Sequence, residues 1–101
     1  MPVIIETEEN TVIARLSGEV DHHTAKAIRE DIDLAIDRHH PKQLILDFDG
    51  VTFMDSSGIG LVMGRYKIVK PYGGCVIIEN TGNQIKKVMR LAGLDRLAVI
   101  R

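Results

Sequence analysis

The sequence predicts a small α/β domain with a mixed, mainly parallel sheet in the order β-β-α-β-α-β-α-β. Three observations carry that expectation. Two β-branched runs, "VIIETE" and "VIARLSG", open the chain around "ENT", the pattern of a hairpin. Downstream, strand-length apolar runs alternate with stretches of helical period, which implies parallel pairing through right-handed crossovers. "QLILDF" is almost continuously apolar, as strands inside parallel sheets are.

The period changes at Asp21. Ala25, Ile28, Ile32, Ala35 and Ile36 recur at helical spacing, Asp21 is a good N-cap, and Pro41 follows the end. After "QLILDF" a second helix is expected to start at Ser56 and Ser57. Ile59, Val62, Met63, Tyr66 and Val69 form its core face, and Pro71 with Gly73 and Gly74 stops it. "CVIIE" reads as a buried strand, with Cys75 a buried, inert thiol. Thr81 and Gln84 form a capping-box pair for a third helix. Its core stripe is Ile85, Val88, Met89 and Ala92, with Gly93 as its stop. "RLAVIR" is the last strand.

Length and composition narrow the class. A chain of 101 residues, 45% apolar and 27% charged, reads as one globular domain. With no Trp and few aromatics, its core must be built from Ile, Val, Leu and Met. A net charge of -1 argues against nucleic acid or anionic membrane as a direct partner. Lys86, Lys87 and Arg90 read as a solvated helix face. A single cysteine excludes an internal disulfide and fits a reducing compartment. There is no signal-peptide pattern, and no apolar run approaches the roughly 20 residues of a membrane span. The expected location is the cytoplasm.

The chemistry concentrates in "FMDSSGIG", Phe53 to Gly60. Asp55, Ser56 and Ser57 are three consecutive cap candidates where one suffices. A nucleophile elbow needs G-x-S-x-G, but Met54 stands at the first glycine position and the last histidine is His40. Gly58, Gly60 and Gly64, with Glu79 further on, imitate a dinucleotide fingerprint. However, "DGVTFMDSS" separates strand from glycines, and Asp55 would repel a pyrophosphate. Phosphorylation fits better. A phosphate on Ser56 lies over the free amides of a helix start, where it changes surface recognition more than stability. Gly60 and Gly64 share a face away from Ile59, Val62 and Tyr66. They make either a flat docking strip or a tight contact inside the domain.

A second stretch, "GEVDHHTA", carries His22 and His23. Adjacent residues at a helix start diverge, and no Cys, Asp or Glu set is spaced to join them, so no metal is expected. His39 and His40 suit the other end of that helix. Strand carboxyl ends gather on one edge of a parallel sheet, so this loop and the serine turn are expected side by side.

"GEVDHHTA", "FMDSSGIG" with "LVMGRYK", and the later "GG", "V" and "AGL" resemble the STAS-domain anti-sigma factor antagonist family, most closely its sporulation branch. The resemblance runs from the second strand to the last. It implies a STAS-like fold and a non-enzymatic partner switch without cofactor. The unphosphorylated form binds an anti-sigma factor and frees the sigma factor. That anti-sigma factor is also a serine kinase, which uses ATP to inactivate the antagonist on the serine directly after the aspartate, here Ser56. A metal-dependent serine phosphatase restores it. The implied partner-binding residues are Asp21, His22, Asp55, Ser57 and Gly58, then Gly60, Leu61, Gly64 and Arg65 on the following helix. A helix usually follows the family's last strand. Here the sequence stops at Arg101, so one STAS domain over 1–101 without that helix is expected. The alternative is a STAS domain that binds a nucleotide or another small ligand.

Overall fold

Glu9 adopts a left-handed conformation, φ 50°. It turns β1 (Val3–Glu8) back antiparallel onto β2 (Thr11–Val20), closing at the Glu8–Thr11 pair. This is the expected hairpin. The computed structural model describes residues 2–101, and every later strand pairs in parallel, giving a sheet ordered β1-β2-β3-β4-β5. The others are β3 (Gln43–Met54), β4 (Cys75–Glu79) and β5 (Val99–Ile100). Helices α1 (Ala25–His39), α2 (Ser56–Val69) and α3 (Asn83–Leu91) make the crossovers.

Strand order equals chain order, so crossovers of one hand put every helix on the same face. Val12, Ala14, Leu16, Leu44, Leu46, Phe48, Val76 and Ile78 line that face. They form one core with Ile28, Ile32 and Ile36 of α1, Leu61, Val62 and Val69 of α2, and Met89 of α3. The opposite face is built differently. Ile13, Ile45, Ile77 and Val99 lie in register across it, next to a polar row in which Arg15 pairs Asp47 and Asp47 pairs Glu79.

Several elements depart from expectation. β3 does not stop at Phe48. Val51, Phe53 and Met54 pair with Gly18, Glu19 and Val20, so two strands project beyond the sheet as an arm. Register shifts on either side of Ser17 and Gly18 explain why the arm has no clean alternation, and Gly18 takes φ 75° there. Cys75 is exposed rather than buried, because it stands at the open end of β4 ahead of the buried Val76. The Thr81–Gln84 capping box does not form. Gly82 is the N-cap of α3 with no side-chain bond, and the Thr81 hydroxyl is buried without a partner. Only Met89 of the expected stripe is fully buried, and Val88 is exposed. Gly93 does follow the helix, at φ 82°, and β5 is only two residues long.

The core face of α2 is rotated. It buries Gly58, Leu61, Val62, Arg65 and Val69, leaving Ile59 and Tyr66 at its margin and Met63 exposed. Apolar residues lie all round this helix, so periodicity alone does not select a face. Helix α2 then runs through a 3₁₀ turn at Lys70–Tyr72 to Gly73, at φ 86°. At Gly74 a Cβ would lie 2.9 Å from the Val69 carbonyl oxygen and 3.0 Å from that of Pro41. Neither backbone group can move aside. Gly74→Ala should therefore cost about 1–3 kcal/mol by overpacking. In a melt this lowers Tm by roughly 4–8 °C per kcal/mol, and an unchanged Tm refutes the tight contact.

Asp47 fastens the polar face. It is buried, and its carboxylate accepts from Arg15 Nη1 at 2.6 Å, Asn80 Nδ2 at 3.0 Å and the Asp49 amide at 3.0 Å. Burial alone pushes its pKa up, but the Asn80, Asp49 and Arg15 hydrogen bonds together outweigh it and hold the group below the ordinary carboxylate value. A depressed folded pKa contributes stability above the unfolded value near 4, lost as pH falls through the folded pKa. Asp47→Asn should lower Tm at pH 7 and shrink the Tm drop between pH 5 and pH 3. An unaltered acid limb removes Asp47 from that role.

Candidate functional site at the β2 and β3 carboxyl ends

The arm of β2 and β3 brings two turns together. Val20 pairs with Met54, and the Asp55 amide donates to the Val20 carbonyl at 3.2 Å. Asp55 then serves as N-cap of α2. Its backbone is extended, φ -104° and ψ -167°, and its Oδ1 accepts from the Ser57 amide at 2.8 Å. One carboxylate thus satisfies the cap that three residues competed for. Ser56 is exposed, and its hydroxyl makes no hydrogen bond among the described residues. Ser57 is half-buried.

The neighbouring turn is stapled by Asp21. Its Oδ1 accepts from the amides of His23 at 2.9 Å and Thr24 at 3.1 Å. Thr24 Oγ1 donates to the Glu19 carbonyl at 2.9 Å. Helix α1 begins only at Ala25, so Asp21 caps the turn leading into the helix and not its first residue. The Thr24 amide chiefly, then the His23 amide and the two nearby imidazoles, lower the Asp21 pKa against its partial desolvation. The His22 and His23 rings do not diverge. Their centroids are 3.9 Å apart. No group of three or more His, Cys, Asp or Glu among the described residues is placed to hold a metal.

Beyond the cap, α2 presents an exposed stripe of Ser56, Gly60, Met63 and Lys67, with half-exposed Gly64 beside it. Nothing lies within 4 Å of a Cβ built on Gly60 or Gly64, so neither glycine serves an internal contact. Three other expected site residues are turned inward. Gly58 packs on Met54 and Val20, while Leu61 and Arg65 are each only 4% exposed. All three underlie the surface, and Leu61 and Arg65 form the floor of a depression between α1 and α2. That depression, about 390 Å³, is also lined by His22, Ala25, Lys26, Arg29, Ser57 and Gly60.

Three contributors escaped the sequence. Phe53, half-exposed one residue ahead of Met54, lines a shallow groove with Val88 and Ile85 of α3. Lys26 and Arg29 join the depression. Their i, i+3 spacing on α1 is visible in the sequence, but Arg65, which completes the cationic lining, lies 36 positions downstream of Arg29.

The sheet carries all its crossovers on one face and brings two polar turns together at the carboxyl ends of β2 and β3. The chain belongs to the STAS domain family, whose model matches residues 2–101. It is 33% identical over 100 residues to the anti-sigma F factor antagonist of Paenibacillus polymyxa, covering 99% of this chain and 86% of that one. It is 40% identical over 84 residues to that of Lysinibacillus sphaericus, covering 83% and 72%. The fold matches the unphosphorylated anti-sigma factor antagonist SpoIIAA with TM-score 0.85 and 35% identity, over 98% of this chain and 87% of that one. It matches the phosphorylated form of SpoIIAA, a Bacillus cell fate determinant, with TM-score 0.77 and the same identity, over 98% and 90%. No helix among the described residues is long and apolar enough to cross a membrane.

The open glycines make a direct prediction. Gly60→Ala and Gly64→Ala should each raise stability by about 0.5–1 kcal/mol, because Ala restricts the unfolded chain and adds no clash. Thermal melts should therefore shift upward by a few degrees. A lower Tm for both variants would return the glycines to the interior.

Proposed function

We propose that this chain is a partner-switching regulator: unphosphorylated, it binds an anti-sigma factor and so frees a sigma factor, and phosphorylation of Ser56 ends that binding. The observation that carries the proposal is the division of labour at the serine turn. Asp55 holds the helix cap, so the Ser56 hydroxyl is exposed and uncommitted at the positive end of α2. The similarity to SpoIIAA in both phosphorylation states supports the same reading. The phosphoryl donor is ATP, bound by the anti-sigma factor acting as a serine kinase, and a metal-dependent serine phosphatase removes the mark. The domain itself is no enzyme and works in the cytoplasm. The partner surface combines the Asp21–His22 turn, Asp55, Ser57 and the stripe through Gly60 and Gly64, with Gly58, Leu61 and Arg65 beneath it.

Charge explains the switching. A hydroxyl buries easily against a partner, whereas an unpaired phosphate dianion cannot be desolvated without a large penalty. Asp55 beside it adds like charge. Because the cap belongs to Asp55, the fold does not depend on Ser56. Incubation with the anti-sigma kinase and ATP should add one phosphate by intact mass. Ser56→Ala should take none, while Ser57→Ala is still modified. Ser56→Asp should keep the wild-type circular dichroism and lose binding. Phosphate mapped to Ser57, or undiminished binding by Ser56→Asp, overturns the assignment.

A further inference from the structure

The depression between α1 and α2 has a chemistry that the serine turn does not explain. Its ionisable lining residues are His22, Lys26, Arg29 and Arg65, with no acid among them, in a chain of net charge -1. Arg65 is the unusual member. It is 4% exposed, and its Nε lies 2.9 Å from Asp33 Oδ1 without the alignment of a hydrogen bond. Among the described residues its buried Nη1 has no hydrogen-bond partner. A buried guanidinium facing one off-axis carboxylate, with Arg29 acting on the same pair, is under-compensated.

Such a site is completed by one more oxyanion. The adjacent start of α2 favours negative charge as well. Gly60 leaves open space at the rim, so a side chain from outside can reach the floor. The walls otherwise offer Ala25, Leu61 and Ser57, with His22 as the only ring, which is little to hold a nucleotide base. We propose that this cleft receives an acidic side chain of the protein partner, its carboxylate seated against the Arg65 and Arg29 guanidiniums. The inference rests on the partner-switching reading and adds the chemistry of the partner: an Asp or Glu projecting from the surface that covers α2.

Titration of the anti-sigma factor against wild type, Arg29→Glu and Lys26→Glu at several salt concentrations tests it. Both residues are exposed, so folding should survive, and Arg96→Glu supplies the same charge change on an exposed turn ahead of the edge strand β5, outside the cleft lining. Arg29→Glu should weaken binding by about tenfold or more, the low end for a close interfacial charge pair. Lys26→Glu should weaken it less, and both should flatten the salt dependence. Arg96→Glu should match wild type. Inorganic phosphate at constant ionic strength should compete with the wild-type complex. Equal affinity and equal salt dependence for wild type and both cleft variants overturns the inference and leaves partner switching intact. Phosphate that binds without weakening the complex also overturns it, reducing the cleft to a site for free anions. A wild type that binds no anti-sigma factor overturns both readings together.

Discussion

Asp55 is the joint on which the site depends. Its amide closes the β2–β3 arm onto Val20, and its carboxylate opens α2 by taking the Ser57 amide. Two separate requirements, ending a parallel strand pair and starting a helix, are met by the backbone and the side chain of one residue. The direction of α2 relative to the sheet follows, and with it the placement of everything the helix displays. Had Ser56 supplied the cap, its hydroxyl would have been committed to a backbone amide.

Much of this was legible in the sequence because its signals were local. Element order, the hairpin, the strand–helix alternation and the nearness of the Asp21 and Asp55 turns follow from period, turn residues and the geometry of parallel sheets. What escaped was decided by tertiary context. Residues 49–54 read as a loop because "DGVT" breaks the apolar run, yet they pair with β2 through two register shifts whose extra residues lie on β3, which no local pattern announces. Val62 and Val69 of the expected α2 face are buried, but Leu61 and Met63 are similarly apolar, so the pattern does not decide which of the two turns inward. Only the sheet beneath decides between them. Resemblance places Arg65 among the partner-binding residues of α2, whereas the structure buries it beside Asp33 of the neighbouring helix.

The two sides of α2 divide stability from recognition. Toward the sheet, Leu61, Val62 and Val69 are almost fully buried, worth roughly 1.5–3 kcal/mol each in transfer terms. Toward solvent, Gly60 and Gly64 bury nothing and each lowers helix propensity. Glycines that weaken a helix without serving a turn or an internal contact are hard to explain by folding alone. On the proposed function, close approach by a second backbone accounts for both, and proteins commonly hold such locally unfavourable choices where function needs them.

Phosphate chemistry then acts on a surface already prepared for charge. At the start of α2 the helix dipole favours an anion, and the cationic cleft begins at Ser57, one residue from Ser56, the phosphoacceptor we propose. Against these stand Asp55 and Asp21, both bound to backbone amides and so fixed in place. On the proposed function, a dianion on Ser56 would be solvated and partly balanced in the free domain, with little leverage on folding. Its leverage would lie in the complex, where water is excluded and the same charges must be matched by the partner. An acidic partner side chain seated in the cleft would face the phosphate across that boundary. Repulsion between them would then add to the desolvation penalty, turning a modest covalent change into loss of binding.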